Sequence, residues 1–532
     1  MLVAGWLLLV VAGCGGGDPA PAPRPPAPAA EERVPWQSGD LDRTRRAQAM
    51  AERAARRYAA LTRLRGVPTV GAALRRAHLR GAIGAAALRR YRAAHAGARK
   101  AAAGLPGARG VEQRAVLANV EALAAGLRLT PSRLPAVFLT LRRNTRTWTQ
   151  APLPAAGDRR TFGRSPAVFQ YVPGQGMQLH PLATWGRLNA GLHRCVRPGA
   201  TCARRALRRQ VDAAARLASD RGGFPAWEYQ YRYAQGTPPW LSGMAQATAV
   251  QALARAARAL DRRRYARLAR AALGAFRTPP PDGVAVPAAG GARYVMYSFA
   301  PSMQILNGEL QAVNGLRTAA TLVDSPLAAR LARRGDAAAR RTVAGFDTGA
   351  WSLYSAGGAE ASLSYHQLTT GFLGDLCRWT GRPEYCGAER RFARYEREPP
   401  RIGIDGLERL RARRTAPLRV SVNKGAAVSV RVDGPRGLVL ARDLQLGRGA
   451  HDIGFVPPSR GRFLVQVSAR GPEGRVGVAD RTVRVTLPKP KPKPEPKPRM
   501  IAGERDAPQR PAPSPRRGEA TGGGEAVAGV RD

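Results

Sequence analysis

Four short clusters between residues 238 and 370 gather side chains that can do proton chemistry. They are Pro239-Trp-Leu-Ser-Gly-Met-Ala-Gln246, Tyr297-Ser-Phe-Ala-Pro-Ser302 with Leu306-Asn307-Gly308, Phe346-Asp-Thr-Gly349 with Tyr354, and Tyr365-His366. Tyrosines and a histidine held on separate loops can take a proton from one side of a bound molecule and return one from another. A phenol has an unperturbed pKa of about 10, so it serves as a base only where neighbouring cations favour its ionised form. Arginine stays charged and presents a planar fork, which makes Arg232, within Tyr229-Gln-Tyr-Arg-Tyr233, and Arg293, just before Tyr294, the candidates for that role. His366 is a candidate to orient the Tyr365 phenol or share its proton.

The elements that must hold these loops are helices. Ala, Leu and Arg recur three and four apart from about 40 to 130, and helical stretches are expected at 184–192, 202–219, 243–260, 264–276, 305–322, 336–344 and 365–380. A loop rich in Gly, Pro or aromatic residues separates each from the next. After residue 400 the pattern changes to period two, with strands expected around 418–422, 427–432, 438–440, 451–455, 462–467 and 481–486. Short alternating segments with turn residues between them predict a small β-sandwich resembling an immunoglobulin or fibronectin module. Beyond it, Lys alternates with Pro and gives way to a Gly, Pro and Ala tail that cannot bury a core.

The order and internal spacing of the four clusters resemble the C-terminal domain of the D-glucuronyl C5-epimerases, over roughly residues 220 to 395. The resemblance implies an (α/α) toroid whose loops build a groove for an acidic polysaccharide. It also implies inversion of C5 in glucuronic acid units without cutting the chain and without a cofactor. The positions matching the family's tyrosines are Tyr297, Tyr354 and Tyr365, with His366 beside them, and Trp240, Gln246, Asn307, Arg232 and Arg293 join them as candidate substrate contacts. Trp240 and Trp227 are suited to stacking on sugar rings or to wedging between helices. A proton α to a carboxylate is a weak acid, so such a site must neutralise the carboxylate and stabilise the charge that develops.

Two departures stand out against that pattern. Where the family has Tyr-Asp-Leu-Arg this chain reads Tyr354-Ser355-Ala356-Gly357, and Thr369 replaces a second histidine. A chain-cleaving lyase of related fold would use the same C5 proton abstraction, and a degenerate glycan-binding module would need none. Glu228 with Asp347 would be the paired acids of a glycoside hydrolase, although Asp-Thr-Gly is first of all a turn.

Composition sets the compartment and the partners. The 532-residue chain carries 86 Lys and Arg against 37 Asp and Glu, a formal charge of +49. Such an excess attracts polyanions, but no recognisable nucleic-acid module accompanies it, which argues against a specific nucleic-acid partner. The apolar run of residues 1–13 ends in Val11-Ala12-Gly13-Cys14, which resembles a bacterial lipobox, so Cys14 is expected to carry a lipid anchor outside the cytoplasmic membrane, the alternative being an ordinary secretory signal and a secreted protein. Cys195 with Cys202 and Cys377 with Cys386 each bracket a short turn, and two local disulfides suit an oxidising compartment. Zinc ligation is disfavoured by the spacing. The expected organisation is therefore a signal segment (1–14), a flexible linker (15–38), a toroid-like helical domain (39–398), a β-sandwich (415–487) and a disordered tail (488–532).

Overall fold

A computed structural model describes residue 56 and residues 66–196 and 202–487. The expected leader with Cys14, the linker at 15–38 and the tail from 488 lie outside the described residues. Four helices come first: α1 (Val70–Leu79), α2 (Ala85–Gly104), α3 (Gly107–Ala125) and α4 (Leu134–Gln150). Their apolar stripes meet in a core that includes Val70, Leu74, Leu123, Phe138 and Leu141. An antiparallel sheet follows, in the order β1 (Arg159–Thr161), β2 (Val168–Val172) and β3 (Gly176–Leu179). Neither α4 nor this sheet was expected. The strands are three to five residues long, and β2 and β3 are buried on both faces, so they carry little period-two signal.

Four helical hairpins come next. They are α5 (Pro181–Cys195) with α6 (Arg204–Ala215), α7 (Gly243–Leu260) with α8 (Arg263–Ala272), α9 (Leu306–Leu322) with α10 (Pro326–Thr342), and α11 (Leu363–Thr380) with α12 (Pro383–Tyr395). Helix α7 packs between α5 and α9, and α9 packs against α11, so the first members form an inner row and the second members lie outside it. Composition explains the layering. Helices α7 and α9 are buried nearly all round, whereas α8 and α10 bury one stripe and turn their arginines outward. At Gly315 the inner helices approach so closely that a Cβ would sit 2.6 Å from the Ala247 carbonyl oxygen. Ser242, Ser325 and Ser362 cap the starts of α7, α10 and α11 by accepting main-chain N–H bonds, each worth about 1 kcal/mol. Disulfides join Cys195 to Cys202 beyond α5 and Cys377 to Cys386 across the α11–α12 turn.

Two short hairpins, β4 (Ser219–Asp220) with β5 (Pro225–Ala226) and β6 (Ala285–Ala288) with β7 (Gly291–Tyr294), lie in the loops between the helices, and the C-terminal region is a two-sheet sandwich. One sheet runs β11 (Gly437–Leu446), β10 (Ala426–Gly434), β13 (Gly461–Arg470) and β14 (Val476–Val485). The other runs β12 (Gly449–Phe455), β9 (Ala416–Val422) and β8 (Ile402–Asp405). Alternate residues such as Leu418, Val420, Val430, Phe463 and Val465 fill the space between them. Strand β8 starts the β region earlier than the expected 415. The sandwich is tied to the helices at the β9–β10 turn, where Lys424 is buried and donates to the carbonyls of Tyr395 and Glu398 and to Glu473 Oε1. Among the described residues no helix is long and apolar enough to cross a membrane.

Candidate functional site

The loops entering the inner helices are stitched to one another by main-chain bonds and by the Ser298 hydroxyl, which accepts from Leu241 N. Leu241 and Ser298 exchange two hydrogen bonds, and Gly243 N donates to Val295 O at 3.0 Å. This brings the loop before α7 against the loop that carries Tyr297. A tight hairpin folds Tyr354 over the same place: Tyr354 N donates to Ala359 O, and Ala356 N donates to Gln304 O. The turn of that hairpin is Ser355-Ala356-Gly357-Gly358, with Gly357 at φ +65°, a backbone shape that disfavours a side chain at this position. Helix α11, capped by Ser362, presents Tyr365 to Tyr354 with ring centroids 5.1 Å apart.

The result is a cluster of phenols. Tyr297 and Tyr354 hydroxyls lie 3.4 Å apart, Tyr297 is also hydrogen-bonded to Tyr233, and the Tyr233 and Tyr297 rings are 5.4 Å apart. Tyr233, Tyr297, Tyr354 and Tyr365 are each partly exposed, whereas Tyr229, Tyr231 and Trp240 are buried behind them. Burial pushes the Tyr233, Tyr297 and Tyr354 phenols well above their ordinary value, and neighbouring phenols push them further. These hydroxyls are therefore protonated across the physiological range, a hydrogen-bonded string that holds its protons tightly, and one of them can act as a base only after a neighbour or ligand supplies the charge that lets it ionise.

Three of the four candidate catalytic residues are thus brought together, and His366 is not. Consecutive helical residues point about 100° apart, so His366 turns into the core. Its ring stacks on Trp351, Nδ1 bonds Ser352 Oγ at 2.7 Å and Nε2 bonds Phe392 O at 3.0 Å. Trp240 stacks on Tyr229 at 4.0 Å, donates to Tyr231 O and is 3% exposed, so it backs the cluster instead of offering a sugar platform. Trp227 is a core wedge bonded to Ala214 O. Gln246 is fully buried, spanning Pro225 O and Ala272 O. Asn307 is buried in the first turn of α9, and its Oδ1 has no hydrogen-bond partner. Arg293 bonds Glu309 Oε1 and Pro301 O, which fixes the Tyr297 loop and engages the guanidinium away from a ligand. Burial raises the Glu309 carboxyl to about 7 despite that arginine. Arg232 lies between Tyr231 and Tyr233, its main-chain N–H bonded to Gln175 Oε1.

The acids are structural as well. Glu228 accepts from both Arg133 and Arg221. Burial pushes its carboxyl up, but the two arginines outweigh burial and hold it below the ordinary range. Asp347 accepts from Gly349 N, Arg391 and Tyr395, so these two carboxylates do not form a catalytic pair. Among the described residues no group of three His, Cys, Asp or Glu is placed to hold a metal ion.

Sequence reasoning missed a second wall. Tyr229, Tyr231 and Tyr233 contact one another ring to ring, and the His180 ring meets Tyr229 edge-on at 5.5 Å. His180 caps α5 by accepting from Ala183 N at Nδ1, which leaves its proton on Nε2. Burial first, then the Arg159 charge, lowers its pKa to about 3, so the ring is neutral. The every-other-residue tyrosines of 229–233 were the available signal.

The loops at one end of a row of helical hairpins thus gather a cluster of hydrogen-bonded, protonated phenols. Residues 221–394 match the family described as D-glucuronyl C5-epimerase C-terminus. No curated protein matches the chain. Among solved structures, the cellobiose 2-epimerase from Bacillus thermoamylovorans B4167 is similar at 10% identity and a TM-score of 0.32, over 50% of this chain and 72% of that one.

Proposed function

We propose that the protein is an extracytoplasmic polysaccharide uronate C5-epimerase, inverting glucuronic acid units of an acidic glycan by removing the C5 proton and returning one from the opposite face. The observation that carries this reading is the convergence of Tyr297, Tyr354 and Tyr365 from three separate segments of the family-matched region. Protonated phenols supply both the returning proton and hydrogen bonds to the enolate-like charge, and one phenol must ionise to accept the C5 proton. We read the hairpin row as an (α/α) toroid with its loop end as the glycan groove, the sandwich as an immunoglobulin-like spacer, and Cys14 as a lipid anchor. A second reading has its own support. The Tyr297 and Tyr354 phenols are pushed up, not down, and Gly357 stands where the family has arginine, both of which suit a glycan-binding module that no longer catalyses.

Incubating the full chain with a glucuronic-acid polysaccharide in deuterated water, followed by proton NMR, separates these readings. Epimerisation is expected to remove the C5 proton signal and produce iduronate with chain length intact. An unsaturated sugar with falling chain length would overturn it in favour of a lyase. Binding without exchange would leave the binding module.

A further inference from the structure

We infer that Glu360 is a positioning residue for the Tyr354 phenol, and that the β-sandwich acts through it as part of the site and not as a spacer alone. Its effect on catalysis rests on the epimerase reading above; its effect on the hairpin that carries Tyr354 does not. That hairpin spans residues 352–361. Ala361 N donates to Ser352 O, Tyr354 N donates to Ala359 O, and Leu353 pairs with Glu360. A single hairpin this short is marginal in water, so contacts from outside must hold it. At its tip, Ala356 N donates to Gln304 O, and at its base the Trp351 indole N–H donates to Ala361 O. The strand of residues 359–361 needs a further support, because its Ala359 carbonyl is what fixes Tyr354 N.

The sandwich supplies that support. The Glu360 side chain leaves the hairpin for the β9–β10 turn, where Oε2 accepts from Gly425 N at 2.7 Å. Arg448, between β11 and β12, brings its Nε to 3.7 Å from Oε1. The Glu360 side chain is only 16% exposed, so water competes little for the charge-assisted bond to Gly425. A Cβ at residue 425 would sit 3.2 Å from the same Oε2, closer than ordinary van der Waals contact, and glycine is what lets the turn come this near. The turn itself is fixed, since the adjacent Lys424 is buried and donates to Tyr395 O, Glu398 O and Glu473 Oε1. Glu360 thus ties the strand that holds Tyr354 N to a point that cannot shift without disturbing a buried ion pair. The consequence falls on the phenol. Tyr354 Oη lies 3.4 Å from Tyr297 Oη, near the limit of a hydrogen bond, and a displacement of about 1 Å ends the contact.

The test combines hydrogen–deuterium exchange of the full chain, read by mass spectrometry on the peptide of residues 352–361, with the kinetics of C5 exchange on a glucuronic-acid polysaccharide. Glu360→Ala is expected to speed amide exchange in that peptide by about tenfold or more while helix α7 keeps its wild-type protection. Glu360→Gln retains an oxygen that can accept from Gly425 N and should restore the protection. In the kinetic arm, Glu360→Ala should lower kcat by about tenfold or more with KM little changed, because a reacting group is displaced and not a binding one. Wild-type exchange in the hairpin of Glu360→Ala would overturn the assignment. So would loosening of α7 to the same degree, which would make Glu360 a general stabiliser, or a Glu360→Gln variant no better protected than Glu360→Ala. A loosened hairpin with unchanged kcat would show that Tyr354 is not positioned this way. If wild type exchanges no C5 proton, the epimerase reading fails, and the amide exchange alone decides whether Glu360 holds the Tyr354 hairpin.

Discussion

His366 lies flat on Trp351, with ring centroids 3.8 Å apart and planes 11° from parallel. The neighbouring Tyr365 faces the phenol cluster, so a single residue step, about 100° around the helix, separates a structural imidazole from a site hydroxyl. Burial first, then the nearby Lys424 charge, lowers the His366 pKa from 6.5 to about 4. As pH falls, the unfolded chain therefore takes up this proton before the folded one. The stability held by neutral His366 is complete above pH 6.5 and is lost between 6.5 and 4, a fall of about 3 kcal/mol. Urea unfolding across that range is expected to show the slope. His366→Gln, which cannot titrate, should be less stable at neutral pH and flatter below it; an unchanged slope would assign the effect elsewhere.

The Glu228 carboxylate with Arg133 and Arg221 anchors the loop that carries Tyr229 to Tyr233. All three side chains are nearly inaccessible. Removing one partner leaves a buried charge short of compensation, so Arg133→Met is expected to cost about 3–5 kcal/mol in denaturant unfolding. Because Glu228 is held below its usual range, its contribution is present above pH 4.5 and is lost as pH falls below that. A loss under 1 kcal/mol would mean that Arg221 alone suffices.

Lys424 is the corresponding anchor between the helical region and the sandwich. Its Nζ reaches Glu473 Oε1 at 2.8 Å and lies 5.0 Å from the Trp351 ring, so the β9–β10 turn buttresses the stack behind α11. Lys424→Met strands the Glu473 carboxylate and should cost about 3–5 kcal/mol, whereas Lys424→Met with Glu473→Leu should recover most of it. A double variant no more stable than the single one would show that the carbonyls of Tyr395 and Glu398, left without their donor, dominate.

Much of this arrangement was legible in the sequence, and the rest fails for identifiable reasons. Helix α7 falls where expected, at 243–260, because Ser242 caps it and an unbroken helical run follows. Tyr297, Tyr354 and Tyr365 were found through motif order, which survives without knowledge of packing. The second wall was not found, because the contact of His180 with Tyr229 joins segments far apart in sequence, and the short strand that delivers His180 leaves little pattern. His366 was misplaced because adjacency in sequence was taken for adjacency in space. Trp240 and Gln246 were misjudged because burial, which decides whether a polar aromatic serves the core or a ligand, depends on the neighbouring loops.

The phenol string carries the last prediction. If Tyr297, Tyr354 and Tyr365 exchange protons with the substrate, each Phe substitution should leave the fold intact, since the rings still pack, and slow solvent exchange at C5 by about 10²–10⁴. Tyr297 and Tyr354 share a hydrogen bond, so the double variant should be little worse than the poorer single one. Because the Tyr297 and Tyr354 phenols are raised, their ionised forms are scarce near neutrality, and exchange that uses either as base should climb with pH into the alkaline range without levelling off at pH 7. Deuterium incorporation measured from pH 6 to 10 tests both points together. Equal exchange by wild type and all three Phe variants would move the chemistry to other residues. A plateau by pH 7 in wild type, abolished in one variant, would show that substrate binding itself lowers that phenol's pKa.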